Sequence, residues 1–130
     1  MAHAEVDPGT HRVTGAVVDA GLKVHRLLGP GLLELAYENC LAFELLERGF
    51  SVRQQVGLPL VYEGNKLDVG YRIDMLVAEA VVLEIKSVDA IAPIHEAQLL
   101  TYLKLSGHRV GLLLNFNVVL FKQGIKRFVV

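Results

Sequence analysis

A chain of 130 residues, 52% of them hydrophobic, is long enough to bury a core without disulfides or a structural metal, so one domain with one site is expected. The 13 Lys and Arg against 14 Asp and Glu leave a net charge of -1, which excludes a broad basic field and confines any nucleic-acid contact to a local patch. Mean hydropathy is high at +0.41, yet charges interrupt every apolar run before the ~18 residues of a membrane span, and the single Cys40, read as a buried thiol, agrees with a reducing cytoplasm.

Residues 1-12 are expected to form a flexible tail, Met1 to Thr10 being polar and without the apolar segment of a secretory signal, ahead of one domain over 13-130. Val17, Leu22, Val24, Leu27 and Leu28 predict a first helix from Val13 to Leu28, which Gly29-Pro30-Gly31 breaks. Leu32 to Arg48 predicts a second helix, apolar on most sides (Leu33, Ala36, Tyr37, Cys40, Leu41, Phe43) and therefore mostly buried, with Gly49 as its stop. The period then changes. Ser51 to Val56, Leu58 to Glu63, Asp68 to Val77 and Val81 to Val88 read as strands, with a turn at Gly64-Asn65 and the last two forming a hairpin. Ala92-Pro93 opens a helix that Gly107 closes, and Val110 to Leu114, Val118 to Phe121 and Ile125 to Val130 add three strands.

The chemistry concentrates in that hairpin. Residues two apart on a strand share a face, so Glu84 and Lys86 project together while Leu83 and Ile85 face the core. A turn over Ala78-Glu79-Ala80 pairs Val77 with Val81 and sets Asp74 opposite Glu84 and Arg72 opposite Lys86. Two carboxylates so placed repel unless a cation offsets them, and Mg²⁺ favours one or two such oxygen ligands with water and phosphate. Alternatively, the three charges line a solvated sheet face. Gln98 and Tyr102, four apart, share one face of the next helix and can hold a water, a phosphate or a base. Glu34 and Tyr37 share a face in the second helix, and Arg53, Arg72, Lys86, Lys104 and Arg109 are candidates for a basic patch. His25 and His95 are read as core or capping groups and His108 as exposed.

In order, Gly31-Leu32-Leu33-Glu34-Leu35-Ala36-Tyr37, Asp74, Glu84-Ile85-Lys86 and Gln98-Leu99-Leu100-Thr101-Tyr102 resemble the GxxExxY protein family, which is grouped with the PD-(D/E)XK nuclease superfamily. The resemblance runs from Val13 to Val130, with Ile73 standing where the superfamily pattern has proline. It implies an α/β (α+β) restriction-endonuclease-like core, a mixed sheet flanked by helices. It also implies metal-dependent phosphodiester hydrolysis of nucleic acid, DNA before RNA. Asp74, Glu84, Lys86, Gln98 and Tyr102 would be catalytic, and Glu34, Asp74, Glu84 and the Ile85 carbonyl would hold Mg²⁺, with Mn²⁺ as substitute. The competing reading is a non-catalytic nucleic-acid-binding or protein-interaction module that keeps the fold. No membrane contact is expected, and the apolar content suits a homodimer.

Overall fold

The computed structural model describes residues 6-130. Helix α1 (Pro8–Leu28) starts earlier than the apolar pattern predicts and takes up Pro8 to Arg12 of the expected tail; the first five residues of that tail lie outside the described residues. The cause is local: Asp7 accepts the Thr10 N–H on its side chain at 2.9 Å, and Pro8 stands at the first helical position. Helix α2 (Glu34–Glu47) buries Tyr37, Glu38, Leu41, Ala42 and Leu45. The expectation that it is mostly buried fails, because Leu35, Phe43 and Leu46 are exposed on its other side. Cys40 is also exposed, not the buried thiol that composition suggested.

Strands β1 (Val52–Tyr62) and β2 (Asn65–Val77) form a long hairpin. The two strands expected within 51-63 are one, its register shifting between Leu58 and Leu60 around Pro59, which an edge strand tolerates. The turn is Glu63-Gly64, both at positive φ, one residue earlier than predicted. Strand β3 (Val81–Lys86) is central and follows the turn at Ala78-Glu79-Ala80. After helix α3 (Pro93–Ser106) come β4 (Val110–Asn115) and β5 (Ile125–Val129). The predicted strand at Val118 to Phe121 is instead a bend leading into a 3₁₀ turn, Phe121–Gly124. Tertiary contacts override strand propensity there: His25 bonds the Val118 carbonyl at 2.6 Å, Phe121 is buried against Phe116, and a side chain at Gly124 would collide with the Asn115 carbonyl.

The result is an α+β fold, a five-stranded mixed sheet in the order β1-β2-β3-β4-β5 in which only β3 and β4 run parallel. Parallel pairing needs a crossover, and α3 supplies it. Side chains alternate across β3: Val81, Leu83 and Ile85 join the core under α1 and α2, while Val82 joins the core under α3. No helix among the described residues is long and apolar enough to cross a membrane.

Candidate active site

The turn sets the β2–β3 register as the sequence predicts, Val77 opposite Val81, Leu76 opposite Val82 and Met75 opposite Leu83. The ladder goes no further, so Arg72 is not drawn opposite Lys86; it pairs with Gly57 on β1. Where the next rungs would fall, side chains replace backbone. The Asp74 N–H donates to Glu84 Oε2 at 3.0 Å, and the Ile85 N–H donates to Asp74 Oδ2 at 2.8 Å. The two strands therefore part around a reciprocal pair of carboxylates.

Glu84 is only 4% exposed, so the solvated-face alternative does not hold for it. Burial, and then the neighbouring Asp74 charge, push its carboxyl up to about 8, although the Asp74 N–H and Lys86 act the other way. Burial also raises the Asp74 carboxyl, against the Ile85 N–H, Lys86 and the Gln55 side chain, which stabilise its charge. Lys86 is half-buried beside both and, among the described residues, forms no ion pair. Of the other cations considered for a patch, Arg53 is taken by Glu79 at 2.7 Å and Arg109 by the Val130 carbonyl at 3.2 Å.

Glu34 stands exposed at the start of α2, where its Oε2 accepts the Ser87 N–H at 3.2 Å and its charge reaches Asp74. Tyr37 is structural: its hydroxyl donates to the Gly29 carbonyl at 2.6 Å and accepts the Leu32 N–H at 3.1 Å. It thereby ties down the loop in which Gly31 adopts φ +96. From the other side of the sheet, Gln98 donates to the Tyr102 hydroxyl at 3.0 Å. Burial and the Glu84 charge raise the Tyr102 phenol. His25 bonds the Val118 carbonyl and His95 Nδ1 accepts the Ala92 N–H at 3.0 Å, whereas His108 is half-buried, not exposed.

Sequence reasoning missed four residues here. Glu38, 4% exposed, accepts the side-chain amides of Gln54 at 2.8 Å and Gln55 at 2.9 Å, and burial raises its carboxyl. Gln55 sits at φ 53, a left-handed conformation uncommon for a residue inside a strand. Ser87 donates its hydroxyl to the Leu32 carbonyl at 2.6 Å, joining the end of β3 to the loop before α2. Asn115, buried opposite Lys86, bonds both the N–H and the carbonyl of Val88 at 3.1 and 2.9 Å. Glu38 had one visible signal, its place four residues after Glu34 on the same helix face.

A family model described as the PD-(D/E)XK nuclease superfamily matches residues 11-128, nearly the whole chain. The chain belongs to that superfamily. No curated protein and no solved structure matches. PD-(D/E)XK nucleases generally use divalent metal ions, and the superfamily assignment suggests nuclease activity and a nucleic-acid substrate. Among the described residues no three His, Cys, Asp or Glu side chains come together as a ready metal cage. The donors that do meet, two hard carboxylates in a site that opposes their shared charge, suit an ion that takes one or two protein carboxylates and completes its shell with water and phosphate.

Proposed function

We propose that this PD-(D/E)XK protein is a divalent-metal-dependent nuclease of the GxxExxY type that hydrolyses phosphodiester bonds in DNA. The observation that carries the reading is the reciprocal pair of buried Glu84 and half-buried Asp74, set beside an ammonium group where two strands part. Asp74, Glu84 and the Ile85 carbonyl are the groups to hold Mg²⁺ or, in its place, Mn²⁺, and Glu34 can add a further oxygen from α2. When bound, the ion supplies positive charge that polarises the phosphate and lowers the pKa of a coordinated water. Lys86 places its ammonium against the phosphate oxygens, where negative charge grows during attack. Tyr102, its phenol held neutral, offers a hydroxyl to the strand, and Gln98 orients that hydroxyl. A cytoplasmic setting accords with the lone exposed Cys40, and the exposed Leu33, Leu35, Phe43 and Leu46 support a homodimer.

The second reading, a binding module that keeps the fold without turnover, draws on the lack of a three-group cage among the described residues. One experiment separates the two. Purified protein is incubated with single- and double-stranded DNA and RNA over a Mg²⁺ and Mn²⁺ titration, beside Asp74→Asn, which keeps an acceptor for the Ile85 N–H. Metal-dependent cleavage that Asp74→Asn lacks supports the nuclease. Binding without cleavage at any metal concentration supports the module.

A further inference from the structure

We infer that the cleft beside the carboxylate pair is a subsite for one unpaired base of a single-stranded nucleic acid, seated on the ring of Tyr71. The inference rests on the nuclease reading and names the form of its substrate. The cleft has a volume of about 270 Å³ and is lined by Tyr71, Ile94, His95, Gln98, Thr101 and Tyr102. That is just under the roughly 300–1,000 Å³ of pockets that take drug-sized ligands, a size suited to a single heterocycle.

Its position links it to the site. Tyr102 packs in the same cluster as Ile73, which precedes Asp74, and Leu113, which stands opposite Glu84 on β4. Tyr71 leans on Tyr102 with ring centroids 6.1 Å apart and planes at 50°, so β2 and α3 meet through these two rings. At the mouth, Tyr71 is 41% and Ile94 70% exposed, two large apolar surfaces bordering one opening. The polar groups among them suit a base edge. Gln98 uses its NH₂ on Tyr102 and keeps its carbonyl oxygen, while Thr101 carries an exposed hydroxyl that can donate or accept.

Charge divides the labour. None of these lining residues is Lys or Arg, so the cleft offers a phosphate no fixed cation, whereas Lys86 stands by the carboxylates. A phosphate at Lys86 with its base on Tyr71 uses both surfaces at once. A base stacked and paired in a duplex cannot enter such a cleft, and single strands are held by aromatic platforms of this kind.

The test measures binding of short fluorescent oligonucleotides in metal-free buffer, where nothing is cleaved. The probes are a single strand, the same strand with its bases replaced by abasic sites, and a blunt duplex. Tyr71→Ala should weaken single-strand binding about 5- to 150-fold, the span of one stacked base, leave the abasic strand and the duplex unchanged, and do so equally at low and high salt. Tyr71→Phe should bind like wild type. Ile94→Glu, on an exposed helical position, should lose single-strand affinity at least tenfold and serves if Tyr71→Ala does not fold. Unchanged affinity in both disruptive variants, or an equal loss for strand and duplex, overturns the subsite while the nuclease reading stands. A wild type that binds no nucleic acid here overturns the subsite, and one that also cleaves none with Mg²⁺ or Mn²⁺ overturns both.

Discussion

Replacing Glu84 with glutamine should stabilise the metal-free protein, and the gain should grow with pH. In the fold the Glu84 carboxyl titrates at about 8 against 4.5 unfolded, so between those values the native state holds a proton that the unfolded chain has released. Stability therefore falls as pH rises through this window and levels off above it. Each pH unit corresponds to about 1.4 kcal/mol, so at pH 7 the roughly 2.5 units above 4.5 amount to about 3 kcal/mol. Glutamine has no such titration and still offers the Asp74 N–H an acceptor. For a domain of this size about 3 kcal/mol is on the order of 10 °C in Tm. The assay is thermal unfolding of both proteins with chelator at pH 5, 6, 7 and 8, then with millimolar Mg²⁺. The curves should be close at pH 5 and separate by pH 7 with Glu84→Gln the higher, and Mg²⁺ should raise only wild type. Parallel pH profiles in the two proteins would refute the reasoning, as would an equal response to Mg²⁺.

Lys86→Ala should keep the Mg²⁺-induced rise in Tm but lower the cleavage rate by about 10²–10³, because the ammonium acts on the phosphate and is no ligand; single-turnover kinetics read this. Gln55→Gly should leave Tm nearly unchanged, since relief of the left-handed backbone offsets the lost bond to Glu38, yet weaken metal binding about tenfold in calorimetric titration. Asn115→Ala should cost about 1–3 kcal/mol in urea unfolding, because it strips both bonds to Val88 from the segment after Lys86.

The hairpin register was legible because it follows from turn length alone: three residues between Val77 and Val81 bring Asp74 toward Glu84. Its premature end was not, because the carboxylates themselves replace the backbone partners, which no pattern of residue types announces. In α2, apolar residues on most sides leave the buried face undetermined, and Cys40 and Phe43 lie on the side that faces outward. The segment at Val118 to Phe121 has strand composition, and contacts with His25 and Asn115, distant or close along the chain, decide against it. Glu38 is marked locally only by its spacing from Glu34, a weak signal shared by many surface glutamates, because its partners Gln54 and Gln55 lie 16 and 17 residues away.

The reciprocal bonds between Asp74 and Glu84 bear on how such a chain can drift. Each carboxylate is also the acceptor for an amide that would otherwise be orphaned at the fork, so a descendant freed from catalysis still needs an oxygen at both positions. Asn and Gln would be the permitted replacements, and apolar residues would be purged by misfolding before any loss of turnover was felt. An intact pair of acids thus records selection for folding as well as for chemistry, and a lineage that has lost activity should reveal itself first at Lys86, whose side chain bonds no backbone group among the described residues.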